Sequence, residues 1–307
     1  MRGWILFDER SAEVKSEAWE QGRIVEAGAV RSLDIEIVSP DRFDMVIDHE
    51  GGQQVVLDGR EQDVPGFLIP RLGAGTDYWS LAIVRQLEEL GVRVFNGSRC
   101  IEASKDKLYT HQLLAASQLP TPKTLLVKDL ADVALVDQYL EFPVIVKTLS
   151  GTQGAGVCLI RDRASFEDLL NFTRASGGHD PMILQEFIAG STGRDLRVIV
   201  VGGEVVGAML RSGGDDYKAN ISQGGTGSSF EVSTAIEELA LKTAELLQLE
   251  IAGIDLLFMD DGFLVCEANS SPGFSGFEEF TGTDIAARIV NYVAEQLSLE
   301  PTSKTKL

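Results

Sequence analysis

The stretch Ile254-Asp-Leu-Leu-Phe-Met-Asp-Asp-Gly-Phe-Leu-Val-Cys-Glu-Ala-Asn269 contains two apolar runs separated by Asp260-Asp261-Gly262. A three-residue hairpin loop is typically closed by a left-handed residue, a position that Gly262 suits. The stretch therefore predicts two antiparallel strands, and a loop of this length pairs Met259 with Phe263.

That register places three polar side chains on one face of the predicted hairpin. Asp255 lies opposite Glu267, and Asn269 follows two residues later on the same face. Two carboxylates and an amide oxygen suit Mg²⁺, a hard cation that prefers oxygen ligands. The alternative is a solvated strand face, but the apolar flanking residues make two bare acids there costly. We therefore predict a metal site at Asp255, Glu267 and Asn269.

A glycine-rich loop follows the apolar stretch that ends at Lys147. Gly151, Gly154 and Gly156 allow close approach of the backbone, so main-chain N–H groups can surround phosphate oxygens. Lys147 would add a positive charge. The alternative interpretation is a flexible hairpin with an exposed lysine.

The sequence around this loop argues against common phosphate-binding motifs. A Rossmann loop leads into a helix, whereas this one leads into the β-rich run Val157-Cys158-Leu159-Ile160. No Gly-Lys-Ser/Thr sequence of a Walker A loop is present. The kinase lysine strand follows its glycine loop, whereas Lys147 precedes this one.

Composition limits the function classes. The chain has a formal net charge of −20 and no basic stripe, which argues against nucleic acid and weakly against anionic membrane surfaces. Its apolar runs are far shorter than the about 20 residues of a membrane span. The three cysteines and three histidines are scattered. This favours a reduced, cytoplasmic protein and leaves little material for a zinc site or a Ser–His–Asp triad.

Three units are predicted along the chain. Residues 1–96 alternate strands and helices, which is typical of a mostly parallel sheet covered by helices. In the second unit, residues 97–187, Ser104 is the predicted N-cap of a helix over 105–116. The third unit, residues 188–298, begins with strands over 194–201 and 204–211 that turn at Gly202-Gly203.

Two further expectations concern the C-terminal part. The spacing of Thr234 and Glu237 predicts a capping box at the start of a helix that reaches Gln248. A last helix is predicted over 284–296. Residues 299–307 are predicted to be a disordered tail.

In chain order, the motifs resemble the ATP-grasp superfamily, and within it the RimK-type glutamate ligases. That group includes the ribosomal-protein glutamate ligase and the N-acetylaspartylglutamate synthases. The resemblance runs from about residue 67 to residue 293. It is carried by these segments: Ile69-Pro70-Arg71-Leu72-Gly73, Ser104-Lys105-Asp106-Lys107, the Gly-Thr-Gln-Gly-Ala-Gly loop, Gln185-Glu186-Phe187-Ile188, Asp195-Leu196-Arg197, Met209-Leu210-Arg211, Gly253-Ile254-Asp255 and residues 267–273.

The resemblance implies an α/β fold of the ATP-grasp type. An N-terminal pre-ATP-grasp domain, residues 1–96, would precede two lobes that enclose the nucleotide. Residues 97–187 would form the small lobe with the glycine-rich lid, and residues 188–298 the large lobe with the metal site.

The resemblance also implies roles for individual residues. Arg211 would be catalytic and face the transferred phosphoryl group, while Asp195 would reach the ribose. Two Mg²⁺ or Mn²⁺ ions would bind at the metal site predicted above. ATP would contact Lys107, Lys147, Gly151, Gly154, Gly156, Glu186, Phe187, Lys218 and Asn220, and substrates would contact Arg71, Gly224 and Gly225.

The function implied is an ATP-dependent carboxylate–amine ligase that forms an amide through an acyl phosphate and releases ADP. It would add L-glutamate to a carboxylate-bearing acceptor such as a small acid, a peptide or a protein C-terminus, and the chain would form a homo-oligomer. One departure bears on the acceptor: the ribosomal-protein ligase has a His-Arg pair where this chain has Ser222-Gln223. The alternatives are a ligase of another amino-acid specificity, dipeptide-forming or glutathione-synthetase-like, and a non-catalytic ATP-binding module.

The glycine-rich loop generates the first prediction. Residues 149–156 should exchange amide hydrogens fast in the free protein and slowly with an ATP analogue and Mg²⁺, because phosphate oxygens would order the loop. Gly154→Val should raise futile ATP hydrolysis, since a β-branched residue resists positive φ. Hydrogen exchange that is equally slow with and without nucleotide would contradict a closing lid.

Overall fold

A computed structural model describes residues 1–8, 14–47, 49, 53–73, 76–127, 133–149, 156–177, 182–213 and 225–299 of the chain. The described residues form four β-sheets. None of the helices in these ranges is both long and apolar enough to cross a membrane. The predicted α/β class is confirmed.

The N-terminal part of the chain contains a parallel sheet with strand order β2-β1-β6-β7. Its central strand is apolar on both faces, as expected for a strand covered by helices, and Trp4, Ile5 and Leu6 are fully buried. The elements are β1 (Arg2–Leu6), α1 (Val14–Val30), β2 (Asp34–Val38), β3 (Phe43–Ile47), β4 (Gln53–Leu57), β5 (Arg60–Glu61), β6 (Phe67–Pro70), α2 (Tyr78–Glu89) and β7 (Arg93–Val94).

The middle of the chain forms an antiparallel sheet with strand order β10-β9-β11-β8. Its core lies between this sheet and two helices, with Phe166 and Val144 fully buried. The elements are α3 (Ser98–Lys105), α4 (Lys107–Ala116), β8 (Thr124–Val127), α5 (Val133–Tyr139), β9 (Val144–Thr148), β10 (Val157–Ile160), α6 (Arg163–Ala175) and β11 (Met182–Glu186).

The predicted helix start at Ser104 is wrong. Ser104 lies near the end of α3, where its Oγ donates to Ile101 O. The chain then breaks at Asp106, whose side chain accepts a hydrogen bond from Tyr109 N and so caps α4. Asp is as good an N-cap as Ser, and it leaves Lys107 as the first residue of α4.

The C-terminal part is built on an antiparallel sheet with strand order β14-β13-β12-β15-β16. The helix predicted from Thr234 is capped one residue earlier, by Ser233, whose Oγ accepts from Ile236 N. The elements are β12 (Arg194–Val201), β13 (Glu204–Ser212), β14 (Thr226–Phe230), α7 (Thr234–Leu246), β15 (Ile251–Met259), β16 (Gly262–Asn269), α8 (Ser275–Thr281) and α9 (Ile285–Leu299).

This five-stranded sheet has two differently used faces. One face carries Leu196, Val198 and Ile254 into a core with α7. The other face is apolar only at one end, where Ile199 and Val201 join the core that contains α9. Its opposite end carries the charged residues described below.

The predicted hairpin of β15 and β16 forms with a turn that is one residue shorter than expected. Met259 pairs with Gly262, not Phe263, and a bulge then follows between Asp255 and Leu256. The bulge adds one residue on β16 and restores the predicted pair Asp255–Glu267. At the other end of the chain, Leu299 belongs to α9, and the rest of the predicted tail lies outside the described residues.

Asn96 connects the N-terminal part to the large sheet. Its Nδ2 donates to Ile251 O and Ser270 O, each at 2.7 Å. Its Oδ1 accepts from Glu250 N at 2.7 Å and Ile251 N at 3.1 Å. Asn96 is only 1% exposed, so its side chain makes these four hydrogen bonds inside the protein.

Asn96→Ala should lower the free energy of unfolding by about 2–4 kcal/mol, because buried backbone groups lose their partners. Asn96→Asp should be worse, since it turns an anionic oxygen toward two carbonyls. Denaturant titration with Asn171→Ala, an exposed substitution on α6, as the control measures the difference. Equal stability of Asn96→Ala and wild type would contradict the connecting role.

Candidate active site

Four charged side chains form a row across one face of the five-stranded sheet. Asp195 and Arg197 are two residues apart on β12 and therefore point to the same side. Asp195 lies opposite Arg211 on β13, and Arg197 lies opposite Asp255 on β15. The strand register thus alternates acid and base across three strands.

The side chains in this row are joined by close ion pairs. Arg211 donates to both oxygens of Asp195, at 2.6 and 2.7 Å, and its Nη2 lies 2.9 Å from Asp255 Oδ2. Arg197 donates to both oxygens of Asp255, at 2.8 and 2.7 Å. Arg211 and Asp255 are 5% and 4% exposed, so neither charge could remain there without the other.

The two arginines keep Asp255 ionised. Burial by itself raises the pKa of a carboxyl group, but the charges and hydrogen bonds of Arg197 and Arg211 together outweigh burial and lower the pKa of Asp255 to about 2. Asp255 is therefore a carboxylate at neutral pH.

Glu267 and Asn269 lie on β16 next to this row. Glu267 pairs with Asp255 in the ladder, and Asn269 pairs with Gly253. Asn269 Nδ2 donates to Gly253 O at 3.3 Å, which leaves its Oδ1 as the atom that could face a cation. Both side chains are half-buried.

The chemistry of this donor set fits a hard divalent cation, because it offers two carboxylates, one of them held ionised, and an amide oxygen. Within the described ranges, no three His, Cys, Asp or Glu side chains form a group that could hold a metal ion. The predicted site has two such residues, Asp255 and Glu267, with Asn269 as the third ligand. The assignment of metal ligands stays a prediction.

Two lysines approach the row from the small antiparallel sheet and α4. Lys147 on β9 donates from Nζ to Cys266 Sγ at 3.6 Å, and Cys266 is the neighbour of Glu267 on β16. Burial lowers the pKa of Lys107, against the raising effect of Glu267, while the charge of Lys147 lowers it further. The structure thus brings both lysines predicted to bind phosphate beside the predicted metal ligands.

A buried histidine lies behind Lys147 at the junction of the two sheets. Gln185 Nε2 donates to His111 Nε2 at 2.7 Å. Because a neutral imidazole has one acceptor and one donor nitrogen, His111 Nδ1 carries the proton and donates to Thr121 Oγ1 at 2.5 Å. Thr121 in turn donates to Val265 O on β16. Burial, followed by the charge of Lys147, lowers the pKa of His111 to about 4, which matches a neutral ring.

The predicted adenine contacts lie at the end of β11. Glu186 is its last residue, and its Oε1 accepts from Lys123 N at 2.8 Å. Phe187 follows and is half-buried. Asp195, expected at the ribose, is paired with Arg211 instead of standing free.

Part of the predicted site lies outside the described residues: Gly151, Gly154, Lys218, Asn220 and Gly224. Of the neighbouring glycines, Gly225 precedes β14. Gly156 has φ +75°, and a Cβ there would lie 2.4 Å from Thr148 Oγ1, so this position requires glycine.

Arg71 contacts the loop that follows β16. Its Nη2 donates to Glu20 Oε2 at 2.7 Å and to Pro272 O at 2.9 Å. It is 5% exposed. The structure therefore places Arg71 between α1 and the loop that follows the strand carrying Glu267 and Asn269.

Arg197 belongs to the site although the sequence analysis assigned it no role. Its spacing from Asp195 could have revealed this, because side chains two residues apart on a strand lie on the same face. Its partner Asp255 on another strand was already a predicted site residue.

The chain resembles known proteins in sequence along most of its length. A family model of the RimK-like ATP-grasp domain matches residues 104–293, and one of the RimK pre-ATP-grasp domain matches residues 13–101. A probable alpha-L-glutamate ligase from Aliivibrio fischeri is 34% identical over 290 residues, 94% of this chain and 95% of that protein. The ribosomal protein bS6–L-glutamate ligase of Escherichia fergusonii is 34% identical over 285 residues, 92% and 94% of the two chains.

Solved structures share the fold. The ATP-grasp ligase PsnB, complexed with a minimal precursor, superposes with a TM-score of 0.72 at 21% identity, covering 96% of this chain and 98% of that one. D-alanine–D-alanine ligase from Bacillus anthracis superposes with a TM-score of 0.70 at 15% identity and covers 97% of each chain.

The position of Glu267 generates a prediction. Glu267→Gln keeps the side-chain volume but removes a charge beside Asp255 and Lys107, so the fold should persist while ATP turnover falls about 10²–10³-fold. Circular dichroism and ADP release measure the two effects. Glu204→Gln, at the exposed end of β13, is the control, and wild-type turnover of Glu267→Gln at the same Mg²⁺ concentration would remove Glu267 from the site.

Proposed function

The chain belongs to the RimK-type ATP-grasp family, and we propose that it is an ATP-dependent ligase that joins a carboxylate to an amine. The observation that carries the proposal is the convergence of Lys107 and Lys147 on the face that holds Arg211, Asp255 and Glu267. Lysines that could hold phosphate and oxygen atoms that could hold a metal come together where the four-stranded and the five-stranded antiparallel sheets adjoin.

The reaction would take place in two steps. A carboxylate oxygen of the acceptor attacks the γ-phosphorus of ATP, the bond to the β–γ bridging oxygen breaks, and ADP leaves. The amine of the second substrate then attacks the acyl carbon and phosphate leaves, so an amide replaces the acyl phosphate.

The residues of the site have distinct tasks in this scheme. Lys107 and Lys147 hold phosphate oxygens, and Arg211 faces the transferred phosphoryl group from a position fixed by Asp195 and Asp255. Such preorganised charges cost no rearrangement when negative charge shifts during transfer.

Asp255, Glu267 and Asn269 would hold the metal, which we propose to be two Mg²⁺ or Mn²⁺ ions. When bound, Mg²⁺ would neutralise charge on the phosphate groups. Arg197 contributes by keeping the Asp255 carboxylate ionised and oriented.

Glutamate is the proposed amine substrate, and a peptide or protein C-terminus or a small acid is the proposed acceptor. The names of the relatives support glutamate, and one relative is named for a ribosomal protein acceptor. PsnB, of the same fold, was also solved in complex with a precursor peptide. A homo-oligomer is part of the proposal and rests on family resemblance alone.

A ligase of another amino-acid specificity is the second candidate, since D-alanine–D-alanine ligase shares the fold at 15% identity. ADP release with a panel of amino acids separates the two. A non-catalytic nucleotide-binding module is less well supported, because Lys107, Lys147, Arg211, Asp255 and Glu267 are all in place.

Mass spectrometry tests the proposed function. The purified chain is incubated with ATP, Mg²⁺, glutamate and a cell extract of small acids and peptides. The proposal expects products heavier by one glutamyl residue that require ATP. ADP release and products with another amino acid only would support the second candidate, and no ATP-dependent product would overturn ligase activity.

Arg211 yields a kinetic prediction. Arg211→Ala should lower kcat about 10²–10³-fold with a smaller change in the KM for ATP, if the guanidinium acts mainly in the transition state. Arg211→Lys, which keeps a charge between Asp195 and Asp255, separates this effect from loss of folding. Arg194→Ala, an exposed change on the same sheet, is the control, and an unchanged kcat with a raised KM would assign Arg211 to ATP binding.

A further inference from the structure

Arg71 is a buried cation whose hydrogen-bonding capacity is only partly used. It follows β6, and its backbone N–H donates to Leu6 O at 2.8 Å. Its side chain is 4% exposed and lies over the ring of Phe274, 5.4 Å from the centroid. The two contacts described above, to Glu20 and Pro272, both come from Nη2.

The other two guanidinium nitrogens, Nε and Nη1, are buried and have no hydrogen-bond partner in the structure as described. Glu20 cannot serve them, because its second oxygen accepts from Phe274 N at 2.6 Å and Ser275 N at 2.8 Å. Buried charged donors without acceptors are costly, so they point to an acceptor that the described residues do not supply, such as a bound ligand.

The position of Arg71 in the fold suits a ligand. It lies at the carboxyl end of a central strand in the parallel sheet, the edge at which sheets of this kind bind ligands. It also contacts Pro272, which packs so closely on β15 that a Cβ on Gly253 would be 2.7 Å from Pro272 Cβ. The same point is 3.8 Å from Arg197 Nε, so a single loop separates Arg71 from the Arg197–Asp255 pair.

We propose that Arg71 is a specificity-determining residue that binds a carboxylate of an acidic substrate through Nε and Nη1. This inference rests on the proposed function, which requires at least one such substrate. A monoanion fits the local charge better than a phosphate dianion, because Glu20 already neutralises part of the guanidinium charge. Phosphate groups already have Lys107, Lys147 and Arg211 as their proposed partners.

The carboxylate could belong to the amino acid or to the acceptor, and a binding experiment separates them. Calorimetry on the full chain with a non-hydrolysable ATP analogue and Mg²⁺ compares L-glutamate with L-glutamine, which lacks the side-chain carboxylate, and the peptide Ala-Ala-Ala with its C-terminal amide, which has no carboxylate. Arg71→Lys, which keeps a charge for Glu20, should weaken binding of one acid on the order of 10–100-fold. The neutral counterpart of that acid should bind the wild type and the Arg71→Lys variant with equal affinity.

Glu20→Gln is the structural control, because it disturbs the contacts of Arg71 and of residues 274–275 but leaves Nε and Nη1 in place. A structural role predicts that both variants lose thermal stability and ligand binding together. A binding role predicts that only Arg71→Lys loses discrimination between acid and neutral ligand. Should Arg71→Lys not fold, the Arg71 Nε–H resonance of the wild type should still shift with the acid and not with its neutral counterpart.

Two results would overturn the proposal. The first is that the wild type binds neither acid more tightly than its neutral counterpart. The second is that Arg71→Lys prefers the acid over its neutral counterpart as strongly as the wild type does. Failure of the proposed function is a separate result: a chain that binds an acid through Arg71 but forms no ATP-dependent product would refute ligase activity and leave the binding site standing.

Discussion

The row of alternating charges on the five-stranded sheet is the constraint on which the rest of the site depends. Arg211 is buried between Asp195 and Asp255, and removal of any one partner would leave an uncompensated charge in a dry environment. A shift of the strand register by a single residue would therefore separate these charges. This requirement fixes the register of the sheet, and through the pairing of β15 with β16 it also fixes the positions of Glu267 and Asn269.

The pairing of Asp255 with Glu267 shows how much of this frame the sequence predicts. Alternation along two apolar strands correctly placed both acids on one face, yet the turn was predicted one residue too long. A two-residue turn alone would have shifted Glu267 to the opposite face. The bulge between Asp255 and Leu256 compensates, and nothing in the local pattern announces it, because Cys266 is as compatible with a regular strand as with a bulge.

Contacts between distant segments were beyond prediction for a different reason. Glu20 is a charged residue on a helix, a pattern typical of a solvent-exposed face, yet it is 1% exposed and joins Arg71 to Phe274 and Ser275. Likewise, the sequence around Asn96 is typical of a loop, and only the structure shows that Asn96 donates a hydrogen bond to Ile251 O on β15. Periodicity describes one element at a time, so it assigns no partner across more than 150 residues.

The division of one sheet face into an apolar end and a charged end explains how stability and chemistry coexist. At the apolar end, Ile199 and Val201 pack in the core that contains α9, which anchors the strand that also carries Asp195 and Arg197. Lys107 and Lys147 come from other elements, and the His111–Thr121–Val265 chain ties those elements to the strand of Glu267. The predicted metal ligands and the lysines proposed to bind phosphate are therefore positioned by one continuous network, in which a shift of β16 would move both.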